Sequence, residues 1–196
     1  MIYAGTLNHL HRSSGQWVFV DVGYSSSAKS CGFLVADGMP TALTFGELKE
    51  RLIELSQSEG EPLNLVLEAP LSCSFNKAGN PTGRSVEKRG SATRYWYVGA
   101  GAAVLLGSLD LVGSLRSSRP VRNIRLFEGF ASFKDKATSH TKDVEDLRDI
   151  FWNTESEIGR VFGSDQLCQK PTDSIQSVFL LLGVDYGVPP IAVVGA

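Results

Sequence analysis

Three short strand-like runs, Trp17–Val22, Leu63–Leu67 and Val121–Phe127, each stop at or beside an acidic residue: Asp21, Glu68 and Glu128. Leu63–Leu67 is a continuous apolar run of the kind a buried parallel strand shows, Trp17–Val22 is a short β-rich run, and Val121–Phe127 reads as a strand. A carboxylate at the end of such a strand is costly unless something pairs with it. The chain must therefore build a covered sheet and also find partners for charges at its edge.

The rest of the chain supplies the cover. Cys31–Ala36 and Met39–Phe45 flank Asp37-Gly38, a hairpin signal, so with Trp17–Val22 they predict a three-strand antiparallel meander. Phe45–Ser58 carries Leu48, Leu52, Ile53 and Leu55 at helical spacing. Thr93–Leu115, rich in Ala, Leu and Val, predicts a long buried helix, and Thr141–Phe162 another with an acidic first turn. Ile175–Leu182 predicts a last helix with Thr172 as N-cap. Leu71–Gly90, without apolar period, is expected as a long loop, either functional or disordered. The expected fold is α/β: one domain over 1–196, with a five-stranded mixed sheet (the meander plus two parallel strands) flanked by helices.

Composition excludes several classes. With 42% hydrophobic and 20% charged residues the chain is not a disordered tail. The most apolar stretch, Val98–Leu115, is interrupted by Asp110 and four glycines, so no membrane partner is expected. The first residues lack the basic-then-apolar pattern of a signal peptide, and Cys31, Cys73 and Cys168 form no CxxC pair. A reducing, cytoplasmic setting is the expectation. The net charge of −2 conceals an asymmetry: Lys77–Lys142 holds 12 basic and 4 acidic residues, against 7 and 17 elsewhere. A basic middle on an acidic chain suits a polyanionic partner, here a nucleic acid.

In open α/β sheets ligands collect at the carboxyl ends of the strands. If the strands bearing Asp21 and Glu68 are parallel neighbours, their carboxylates converge there, and a divalent cation relieves their repulsion. Oxygen ligands without thiolate or imidazole suit Mg²⁺ or Mn²⁺, and two such ions about 4 Å apart can align water and a phosphodiester. Glu128 is a third candidate. A further ligand comes from Asp173, at the start of the expected last helix, or from the Asp143/Asp146 pair beside His140, since residues three apart share a helix face.

These features resemble the ribonuclease H-like superfamily. Within it, Leu67–Ser72 (LEAPLS) is similar to the acid-Ala-Pro-Leu segment of a family of predicted nucleases of unassigned function. That family usually has Asp where this chain has Glu68. The resemblance implies Asp21, Glu68, Glu128 and Asp173 as catalytic residues, with Asp21, Glu68 and Asp173 on the metal. It also places Arg84, Lys88 and Arg89, with nearby Arg94, in a phosphate-contacting basic segment. Tyr24, Tyr95, Trp96 and Tyr97 are candidates for stacking on bases or for groove wall. The expected function is thus a divalent-metal-dependent nuclease. Two alternatives are a non-catalytic binding or scaffold module and a nucleotide phosphotransferase, the latter because Asp21–Lys29 (DVGYSSSAK) resembles the phosphate hairpin of actin-like ATPases. The Gly-rich apolar helix leaves a homo-oligomer open.

Overall fold

The computed structural model describes residues 1–24, 29–133, 138–153 and 157–195. The chain starts with a short strand, β1 (Ile2–Ala4), and then forms the expected meander of β2 (Gln16–Asp21), β3 (Cys31–Val35) and β4 (Thr41–Leu43). At the Asp37-Gly38 hairpin the Gly38 amide donates to the Val35 carbonyl at 2.8 Å. Helix α1 (Phe45–Gln57) follows. Its start is a capping box: Thr44 Oγ1 accepts from the Glu47 amide, and the Glu47 carboxylate accepts from the Thr44 amide. The chain then crosses to β5 (Leu63–Glu68), which pairs in parallel with β2.

The next segment departs from expectation. Leu71–Gly90 is not a loop: it holds β6 (Ser72–Phe75), β7 (Pro81–Thr82) and β8 (Lys88–Arg89). Strand β8 makes a small hairpin with β9 (Ala92–Thr93). Helix α2 (Ala100–Ser117) therefore starts later than predicted, after Gly99 at φ 58°. Strand β10 (Ile124–Phe130) runs past Glu128 rather than stopping at it. Helix α3 (His140–Trp152) is capped by the Ser139 hydroxyl, which accepts from the Lys142 amide. It is shorter than expected, because Gly159–Phe162 form β11.

The predicted last helix is absent. Ser174–Ser177 are β12, followed by a 3-10 turn over Val178–Leu182, and Ile191–Val194 form β13. Strand β12 pairs antiparallel with β6, from Ser174 opposite Phe75 to Ser177 opposite Ser72. Backbone pairing with a strand a hundred residues away outweighs the local helical period.

The main sheet runs β11-β13-β10-β5-β2-β3-β4, with β1 on β10, so it has eight strands rather than five. β1 covers the first half of one edge of β10 and β13 covers the second half. Alternation assigns the two faces. Val18, Val20, Leu63, Leu65, Leu67 and Leu126 pack toward α1 and α2. Trp17, Phe19, Val66 and Phe127 pack toward α3, against Val144, Leu147, Ile150 and Phe151. Each of those buried side chains contributes about 1.5–3 kcal/mol relative to exposure, which seats α3 firmly on the sheet. Among the described residues no helix is long and apolar enough to cross a membrane.

Candidate metal centre

Asp21 and Glu68 are the last residues of β2 and β5 and are register partners. The two strands are parallel, so both carboxylates emerge at one sheet edge. Asp21 shares a face with Trp17 and Phe19, and Glu68 with Val66, so both project toward α3. The N-terminus of α3 comes down over this edge because β3 offers a glycine there. A Cβ on Gly32 would lie 2.1 Å from the His140 carbonyl oxygen.

One turn of α3 completes the group. His140 and Asp143, three residues apart, present on the same side. His140 Nδ1 lies 2.6 Å from Asp21 Oδ2, and the Asp143 carboxylate accepts from the Thr138 hydroxyl. One ligand atom from each of Asp21, His140 and Asp143 falls within 4.8 Å of the others. Asp21 and Asp143 are each only 5% exposed, while His140 is exposed. Glu68, half-buried, accepts the Ala131 amide through Oε1 at 3.1 Å. All four line a cavity of ≈330 Å³ that also has Arg94, Trp96 and Val98 on its walls.

Glu128 is elsewhere, for a reason of parity. Its register partner on β5 is Leu67, one residue off Glu68, so it projects to the opposite face of the sheet. There it is fully buried. It accepts the Leu71 amide at 2.8 Å and lies 2.7 Å from Arg84 Nη1. Arg84 is fully buried as well, with Nη1 also 2.8 Å from Ser72 Oγ and Nη2 2.9 Å from Glu87 Oε1. Arg84 thus serves an internal cluster of one cation and two carboxylates and is not presented to solvent. Burial pushes the Glu128 carboxyl up to about 7, against the pull of Arg84 and the Leu71 amide.

The other predicted residues divide. Arg94 lies beside the acidic group, whereas Lys88 and Arg89 line a separate cavity with Phe133 and Phe162. Arg89 donates to the Phe133 carbonyl at 3.0 Å. Asp173 is not in the group. It accepts the Lys170 amide and precedes β12 at the Phe75 end of β6, the end remote from Glu68. Asp146 pairs with Lys142 at 2.7 Å. Trp96 reaches the acidic cavity, while Tyr95 lies over Gly83 and stacks on Tyr97 at 5.6 Å. Tyr24 packs edge-on against Phe45. Within Asp21–Lys29, residues 25–28 lie outside the described residues, and so do Lys134 and Lys136 of the basic middle.

Sequence reasoning placed Asp143 second to Asp173 and gave His140 no ligand role. The signal was present: Ser139 as a cap fixes which residues form the first turn, and His140 and Asp143 then share its face. Comparison with family models, with curated proteins and with solved structures returns no match. The donor set decides what the site can do. Two largely buried carboxylates and an imidazole, Asp21, Asp143 and His140, fit a divalent cation, with Glu68 on the same cavity but outside that group, and the nitrogen donor suits Mn²⁺ at least as well as Mg²⁺.

Proposed function

We propose that this chain is a divalent-metal-dependent nuclease with a ribonuclease H-like sheet, in which Asp21, Glu68, Asp143 and His140 hold Mn²⁺ or Mg²⁺. The observation that carries the reading is the convergence of carboxylates: Asp21 and Glu68 in register on parallel strands, with Asp143 and His140 from the capped end of α3 closing over them. Carboxylates grouped and buried at the carboxyl edge of a sheet cost stability unless a cation or a proton offsets their repulsion. The strand order, with an antiparallel meander continued from β2 by the parallel strands β5, β10 and β13, also supports it.

When bound, the cation supplies Lewis-acid polarisation of a phosphoryl oxygen and a lowered pKa for water. The chain's own groups do the rest. Asp21 and Asp143, held on a strand end and a capped helix, are fixed in direction before any ligand arrives. The Ala131 amide orients Glu68 along the sheet edge. His140, with Nδ1 2.6 Å from Asp21 Oδ2, orients that carboxylate from the exposed side of the group. Arg94 on the wall neutralises phosphate charge without reading a base.

Mn²⁺ binding by calorimetry tests the reading, on the natural sequence and on Asp21→Asn. Binding that the substitution weakens at least about tenfold is the expected result. Folded protein that takes up no Mn²⁺ overturns it and favours a scaffold role.

A further inference from the structure

The floor and walls of the acidic cavity have opposite chemistry. The carboxylates lie at the bottom, with Asp21 and Asp143 each 5% exposed. The walls above them are mostly apolar and rise from Pro70, from Trp96 and Val98, and from Val104 on α2. Arg94 supplies the cation on that wall. The wall is firmly seated. Trp96 Nε1 donates to the Thr82 carbonyl at 3.0 Å, and its ring meets Phe75 edge-on at 5.9 Å. Gly101 lets the first turn of α2 close on the same segment, since a Cβ there would lie 2.6 Å from the Tyr95 carbonyl oxygen.

We propose that the nucleic acid taken by this site is single-stranded, one unpaired nucleotide entering the cavity at a time. The inference rests on the nuclease reading above and adds the substrate class. A phosphate must descend to the recessed carboxylates, and at ≈330 Å³ the cavity is at the lower end of the ~300–1,000 Å³ typical of small-ligand sites. A strand held in a duplex cannot insert one residue into such a space without unpairing it. The walls suit what an unpaired nucleotide exposes: an indole and aliphatic side chains meet the base, and a guanidinium meets the phosphate. The indole N–H is already committed to Thr82, and Ser132 is the one uncharged side chain with a hydroxyl or amide among the described lining residues. The base is therefore held by contact area, with little sequence preference.

The test follows Mn²⁺-dependent cleavage of labelled oligothymidylate and oligouridylate, each alone and annealed to its complement. Unpaired strands are expected to be cut at least about tenfold faster than paired ones. Val98→Asp puts a charge at a wall position that is 57% exposed, and so spares the core. It is expected to slow cleavage of the single strand while Mn²⁺ binding by calorimetry persists, and Trp96→Ala is expected to do the same. Equal or faster cleavage of the duplexes overturns the proposal, as does Val98→Asp cutting like the natural sequence. Mn²⁺ uptake with no cleavage of any strand also overturns it while leaving the metal centre standing. Absence of Mn²⁺ uptake overturns the underlying nuclease reading itself.

Discussion

Replacing Glu128 with Gln separates charge from shape in the buried cluster around Arg84. Arg84 is one cation between two fully buried carboxylates, Glu87 and Glu128, so the cluster carries an excess negative charge when all three are ionised. Burial raises the Glu128 carboxyl from 4.5 to about 7. Between those values the folded chain keeps a proton that the unfolded chain has released. The stabilisation from this group is therefore complete below about pH 4.5 and is lost as pH rises through about 7. At ~1.4 kcal/mol per unit, the shift spans on the order of 3 kcal/mol. Glu128→Gln keeps a carbonyl oxygen for the Leu71 amide but has no proton to lose. Urea unfolding of both chains from about pH 5 to about pH 8 should show them within about 1 kcal/mol at the acid end. Toward the alkaline end the variant should gain on the natural sequence by up to roughly 3 kcal/mol. Parallel stability curves, or a natural sequence that gains on the variant as pH rises, would refute the argument.

Arg84→Met leaves Glu87 and Glu128 buried without their cation. A loss of about 3–5 kcal/mol is expected near pH 8, seen as a fall in Tm on the order of 10 °C in a thermal melt. A loss under about 1 kcal/mol would mean that the cluster is solvated or can rearrange. Asp173→Ala should leave Mn²⁺ affinity as it is, because Asp173 serves the turn at Lys170, whereas Asp143→Ala should lower it at least about tenfold. Calorimetry on the two variants decides between these carboxylates, and the reverse order would return the site to the arrangement implied by the resemblance.

Local pattern was sufficient for much of this protein. The meander, α1 and the strand ending in Glu68 follow from period-2 and period-3.6 spacing, from the Asp37-Gly38 turn and from the Thr44–Glu47 capping box. The convergence of Asp21 with Glu68 was legible as a condition, that their strands be parallel neighbours; β3, β4 and α1 lie between those strands in the chain, and the register of the folded sheet meets the condition. Ile191–Val194 is an apolar run of the same kind, but which strand it joins depends on the edge that β1 leaves open on β10.

Tertiary structure alone decided what depends on register and on distant partners. Glu128 reads like Glu68 in sequence, yet a one-residue difference in parity turns it away from the acidic group and into the cluster with Arg84. Arg84 reads like the other basic residues of its segment until β6 and its neighbours bury it. Asp173 loses its place because Ser174–Ser177 find a strand partner in β6, and a ladder with distant residues leaves no trace in local periodicity. His140 and Asp143 take that place because Gly32, more than a hundred residues earlier, leaves room for the helix to descend onto the sheet edge. Spacing along the chain determines which residues share a face. Which faces meet is settled by packing, where a missing Cβ or a single step of register outweighs any local preference.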